Sequence, residues 1–176
     1  MSVRVGVVGA GLVAQAMHIQ YLAAMRDRFA LVALAEPSRT VREAIGARYG
    51  IAGLHGDYRS LLDAGGVDAV VVCSPAGTHA EVVLAALDAD LHVFVEKPMC
   101  ITLADADAIV AARDRAGRVV QVGTMKRFDP AYERLLEELP QSAESLRYVS
   151  VVVNDPEFGP FFAPGRSSVA TTSHAS

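Results

Sequence analysis

Apolar residues recur along the first 123 positions in two alternating rhythms. Short runs dense in β-branched residues fall at Val3, Val5, Val7 and Val8, at Leu31 to Ala35, at Val67 to Cys73, at Leu91 to Val95 and at Val119 to Val122, with a weaker one near Ile51 to Leu54. Runs of this kind, bounded by turn residues, predict strands buried on both faces. Between them the spacing lengthens to three and four. Leu12, Ala16, Ile19 and Ala23 mark a first helix, and Val41, Ala44, Ile45 and Tyr49 the buried face of a second, capped by Ser38. Asp57 is placed to cap a short helix containing Leu61 and Leu62. Thr78 or His79 opens another running through Ala89, and Thr102 with Asp105 forms a capping box for one reaching Ala116. Gly50, Gly65 and Gly117 fall where those helices stop. Strands alternating with helices in this way predict an α/β fold, a doubly wound and mainly parallel Rossmann sheet in the order 3-2-1-4-5-6.

The rhythm changes at Thr124. Asp129-Pro130 is a helix start, Tyr132, Leu135, Leu136 and Leu139 follow, and Pro140 breaks the pattern. Leu146 to Val153 reads as a strand, and the tail from Arg166 is small and polar. One helix and one strand do not make an independent layer. The expected organisation is a dinucleotide-binding domain over 1–123, the start of a truncated second α/β domain over 124–162, and a disordered tail over 163–176. On this reading the chain is an incomplete enzyme whose apolar last strand needs a cover. The alternative is that this strand extends the first sheet.

The first strand runs into Gly9-Ala10-Gly11-Leu12-Val13-Ala14, a G-x-G-x-x-A followed by a helical pattern. In a dinucleotide site each small residue has a task. Gly9 permits the turn, Gly11 lets backbone approach a pyrophosphate, and Ala14 allows the helix to pack closely on the strand. The pyrophosphate would meet N–H groups at the helix start, around Leu12 and Val13. Glu36, closing the second strand, could accept both hydroxyls of an adenosine ribose. A carboxylate there repels a 2′-phosphate and favours NAD, while nearby Arg39 keeps NADP possible. The competing explanation is a turn that needs glycine only for its dihedrals.

Composition narrows the setting. Hydrophobic residues make up 52% of the chain, which excludes a disordered polymer. The net charge is −4 and the only lysines are Lys97 and Lys126, so neither a nucleic-acid partner nor an anionic membrane surface is expected. Cys73 and Cys100 are far apart and the histidines show no ligand spacing, which points to a reducing, cytoplasmic setting without a metal. No stretch has the length and apolarity of a membrane span.

In a doubly wound sheet the site lies outside the carboxyl ends of the strands. The residues expected there include Ser74, Pro75 and His79, Glu96 and Lys97, and Gly123 to Arg127. Lys97, between an apolar strand and Pro98, could hold a substrate oxygen and stabilise developing negative charge during hydride transfer. Equally, it could form an ion pair with Glu96 on a solvated loop. His79 could stand near a nicotinamide or be a structural histidine. His18, His55 and His92 show no partner pattern and are expected to be ordinary.

Taken together, Gly6-Val7-Val8-Gly9-Ala10-Gly11, Ala35-Glu36-Pro37, Cys73-Ser74-Pro75-Ala76-Gly77-Thr78-His79-Ala80, Val95-Glu96-Lys97-Pro98 and Lys126-Arg127-Phe128-Asp129-Pro130 resemble the Gfo/Idh/MocA family. The resemblance implies an N-terminal Rossmann domain binding NAD or NADP and a C-terminal domain that supplies substrate contacts and self-association. It implies a homo-oligomer in full-length form, acting on a sugar, cyclitol or related polyhydroxy or keto substrate. By the same resemblance, Gly9, Gly11, Leu12 and Val13 hold the pyrophosphate, Glu36 the ribose, and Ser74, Pro75 and His79 line the cleft. Glu96 and Lys97 then stand at the nicotinamide end, with Lys97 the catalytic residue, and Arg127 near the junction of cofactor and substrate. The family's Asp-x-x-x-His pair has no match, because Ala170 stands four residues before His174. The alternative function is therefore a non-catalytic or truncated dinucleotide-binding module.

Overall fold

A computed structural model describes residues 2–140 together with Ser145, Arg147, Tyr148, Ser150 and Val152. Six parallel strands form one sheet in the order β3-β2-β1-β4-β5-β6: β1 Val3–Val8, β2 Phe29–Ala35, β3 Gly53–His55, β4 Ala69–Val72, β5 His92–Val95 and β6 Val120–Val122. The expected order holds, and the weak third strand is a three-residue edge. Between the strands run α1, which begins at residue 12 and is π-helical over Ala14–Ile19 and α-helical over Gln20–Ala24, then α2 Arg39–Tyr49, α3 Tyr58–Ala64, α4 His79–Asp88 and α5 Leu103–Ala116.

Strand parity sorts the side chains. Val5, Val7 and Val71 point to the face where Ala14 and Ile19 of α1 and Val41 and Ile45 of α2 pack. Val8, Val70, Val72, Val93 and Val95 point to the other, against Leu61 of α3, Val82, Val83 and Ala86 of α4, and Ile109 and Ala112 of α5. Both faces are covered, so these strands carry no polar alternation. Each fully buried aliphatic side chain contributes about 1.5–3 kcal/mol.

Local signals explain most helix ends. Asp57 caps α3 by accepting from Ser60 N at 2.9 Å, and Thr102 caps α5 by accepting from Asp105 N at 3.1 Å. Gly50 and Gly117 close α2 and α5 in the left-handed conformation, at φ 71° and 62°. Two expectations need correction. In α1 the fully buried residues are Ala14 and Ile19, five apart, rather than a face running through Leu12, Ala16 and Ala23. The π-helical stretch widens the turn, and side chains five apart then share a face. In α2, Ala44 is exposed and Gly46 is buried, where an added Cβ would lie 2.8 Å from both Leu54 methyl carbons.

The chain divides into two compact units, the first running to Gly123 and the second starting at Thr124. In the second, a turn at Met125–Phe128 leads to α6, Pro130–Glu138. Asp129 caps α6 through Ala131 N at 2.9 Å with Pro130 in the first turn, and the extended Leu139 before Pro140 ends it. The strand expected over Leu146 to Val153 lies largely outside the described residues, as does the tail over 163–176.

Candidate functional site

The parallel ladder lines up the strand ends. Beyond the last strand residues, Gly9 N donates to Ala35 O, Cys73 N to Val8 O, Glu96 N to Val72 O and Gly123 N to Val95 O, at 2.8–2.9 Å. After each of these strands the chain leaves the sheet one step beyond the last residue of a hydrogen-bonded neighbour. The expected site segments of the first unit are therefore brought to one edge.

Gly9 is demanded by this crowding. Its φ is 89°, and a Cβ there would lie 2.7 Å from both Cys73 O and Ser74 N. Gly11 is the opposite case, since a Cβ would meet nothing within 4 Å. The first helical hydrogen bond runs from Gln15 N to Gly11 O at 3.0 Å. The N–H groups of Leu12, Val13 and Ala14 thus precede any acceptor within the helix, next to the open side of the chain at Gly11. Val13 is 48% exposed, while Ala10 and Ala14 are buried beneath the turn.

Glu36 is one of two buried polar residues among those described. Its Oε2 accepts from Ala10 N and its Oε1 from Ser38 N, both at 2.9 Å. The carboxylate thereby ties the glycine turn to the start of α2. Each oxygen keeps a further lone pair, the capacity a ribose diol requires. Arg39 turns away, pairing with Glu43 at 2.7 Å, and Arg42 donates to the carbonyls of Glu36 and Pro37.

At the end of β4, Ser74 is partly buried and Pro75 exposed, with the Thr78 hydroxyl 2.8 Å from both Ser74 Oγ and Pro75 O. His79 is 2% exposed, its Nδ1 2.7 Å from Pro98 O and its Nε2 2.8 Å from Ser74 O. Both ring nitrogens face backbone carbonyls, so His79 ties the turn after β4 to the turn after β5. Lys97 is exposed on a turn whose Lys97–Pro98 bond is cis.

The Glu96 carboxylate does not pair with the Lys97 ammonium. Its Oε1 lies 2.7 Å from His18 Nε2, and its Oε2 accepts from the backbone N–H of Lys97 at 3.1 Å. His18, expected to be ordinary because no partner pattern marked it, has a specific partner in Glu96. His18 reaches across 78 positions from α1, and its ring packs on Phe94 with centroids 5.1 Å apart. The missed signal was strand parity, because Phe94 and Glu96 share the face that α1 covers. Beside them, burial pushes the Cys73 thiol up to about 12, with the Glu96 charge adding to the effect. His92 is ordinary, its Nδ1 accepting from Val119 N at 3.1 Å. Arg127 belongs to the second unit, its N–H donating to Thr124 O at 3.1 Å. No group of metal-binding side chains occurs among the described residues, and no helix there is long and apolar enough to cross a membrane.

The arrangement matches known proteins. Residues 3–124 match the Gfo/Idh/MocA oxidoreductase family, described by its NAD-binding Rossmann fold. An inositol 2-dehydrogenase from Acidothermus cellulolyticus is 40% identical over 143 residues, covering 81% of this chain and 42% of that protein. A probable dehydrogenase from Thermotoga maritima superimposes with a TM-score of 0.71 at 32% identity, covering 76% of this chain and 40% of the other. The WlbA dehydrogenase from Bordetella pertussis, in complex with NADH and UDP-GlcNAcA, gives 0.72 at 28% identity, covering 78% and 42%. The chain spans about two fifths of the length of these relatives.

Proposed function

Because the chain belongs to the Gfo/Idh/MocA family of oxidoreductases, we propose that it binds NAD along the carboxyl edge of its sheet, in a protein that transfers hydride to or from a sugar, cyclitol or related polyhydroxy or keto substrate. The observation that carries this reading is the contrast between the two glycines. Gly9 is locked into the fold, whereas Gly11 leaves open space at a helix start, where nothing in the fold needs a glycine. A pyrophosphate fits that shelf by charge and by shape. Glu36 would take the ribose hydroxyls on its remaining lone pairs. Arg39, engaged by Glu43, is not turned toward a 2′-phosphate, which supports NAD over NADP.

Nicotinamide, when bound, supplies a carbon that gives or accepts hydride. This chain's own contribution at that end is Lys97. Its ammonium would hold the reacting oxygen and stabilise negative charge developing there. Ser74 and Pro75 would border the dinucleotide, and Arg127 would serve at the boundary with substrate. The substrate class is supported by the inositol 2-dehydrogenase and by the WlbA dehydrogenase in complex with UDP-GlcNAcA among the relatives, and self-association by the family resemblance. Titration with NADH and NADPH tests the cofactor. NADH is expected to bind tighter and Glu36→Ala to lose that preference, whereas equal or tighter NADPH binding would refute it. A panel of cyclitols and keto-sugars, followed by nicotinamide absorbance, tests turnover. Cofactor binding without turnover, with Lys97→Ala indistinguishable from the parent, would leave a dinucleotide-binding module instead.

A further inference from the structure

The Glu96-Lys97-Pro98 turn is held from both faces of the sheet. From the α4 side, His79 Nδ1 contacts the Pro98 carbonyl at 2.7 Å. From the α1 side, His18 Nε2 contacts Glu96 Oε1 at 2.7 Å, and the other carboxylate oxygen accepts the Lys97 N–H. The side chains of His18 and Glu96 are only 16% and 18% exposed, so their bond is largely shielded from water. Space for the carboxylate comes from β6. A Cβ on Gly123 would lie 3.2 Å from Glu96 Oε1 and 3.0 Å from Phe94 Cζ. A residue of α1 and the position just past β6 thus meet one carboxylate at the end of β5, whose second oxygen accepts the Lys97 N–H.

We propose that His18 is a positioning residue for Lys97, acting through Glu96. The Nε2–H of His18 donates to Oε1 and fixes the carboxylate plane, which leaves Oε2 aimed at the Lys97 N–H and sets the direction in which the lysine leaves the turn. A surface turn of this length would otherwise sample several directions, and Lys97 would lose part of its effectiveness as an oxygen-holding group. The inference rests on the reading that Lys97 stands at the nicotinamide end, but its structural core can be tested without ligand.

The chain's two lysines supply the probe. Reductive methylation with 13C-formaldehyde labels the α-amine, Lys97 and Lys126, the last serving as a reference in the second unit. In His18→Leu the Lys97 methyl resonance is expected to shift or broaden while that of Lys126 stays in place. In His18→Gln, which keeps an N–H donor, the resonance is expected to return toward that of the parent. Gly123→Ala, which presses on the same carboxylate from β6, should displace the Lys97 signal as His18→Leu does, and it serves where His18→Leu fails to fold. NADH affinity measured in parallel should fall roughly threefold to tenfold in His18→Leu, about the worth of one ordinary hydrogen bond, because Lys97 is displaced rather than removed. An unmoved Lys97 resonance in His18→Leu and Gly123→Ala, with only the melting temperature lowered, would overturn the proposal. Absence of NADH binding in the parent protein would refute the cofactor reading and leave the resonance test standing.

Discussion

The two glycines of the turn separate stability from binding at the scale of single residues. Gly9→Ala places a Cβ against backbone at 2.7 Å and forces an unfavourable φ of 89°. It should lower stability by about 1–3 kcal/mol or more, read as a drop in melting temperature. Gly11→Ala meets nothing within 4 Å. Its melting temperature should stay near the parent's, within about 0.5 kcal/mol, while NADH affinity falls. Should Gly11→Ala bind NADH as the parent does, the pyrophosphate shelf is misplaced. Cys73 gives a second residue-scale expectation. Its thiol is raised to about 12 mainly by burial, so the thiolate that alkylates is scarce at pH 8–9. Iodoacetamide should modify Cys73 far more slowly in the folded than in the denatured protein. The sign follows from linkage: a raised thiol stabilises fully below its unfolded value near 9, and that contribution is lost as pH climbs toward 12.

At the scale of elements, the ends of strands and helices carry separable tasks. Arg4 at the start of β1 forks onto Asp68 before β4, with contacts of 2.7 and 3.2 Å, and Arg4 N donates to the same carboxylate at 2.8 Å. These bonds hold Asp68 down at about 2. A depressed carboxyl stabilises fully above its unfolded value near 4 and loses that contribution as pH falls toward 2. Asp68→Asn should therefore melt below the parent at pH 7, and the gap should close between pH 4 and 2. A gap that persists at pH 2 would assign the effect to packing. Thr102→Ala removes the α5 cap and should cost about 1 kcal/mol, visible as a lower melting temperature with NADH affinity unchanged. The elements were largely legible in the sequence because caps and apolar periods act within a few residues. The π-helical stretch of α1 was not. Its wide turn places Ala14 and Ile19 on one face, and that choice answers to the sheet beneath rather than to local spacing.

At the scale of the whole molecule, cofactor binding should stabilise the fold by mass action. NADH at a hundredfold excess over its dissociation constant adds about 2.7 kcal/mol, roughly 5–10 °C in melting temperature, and NADPH at the same concentration should add less. An equal shift with both would remove the case for Glu36 as discriminator. By itself the sequence determined the six strands of the sheet, most helix boundaries within it, the sheet order and the glycine turn. Alternating buried strands and helices admit few right-handed topologies, and turn chemistry is written in adjacent residues. Tertiary structure decided the rest. Only when the strands register does Glu36 reach back to Ala10, does His79 tie Ser74 to Pro98, and does His18 find Glu96 78 positions away. A lone histidine on a helix and a carboxylate beside a lysine carry no mark of their partners. The distances that join them are set by how helices seat on a twisted sheet, and no local pattern encodes that seating.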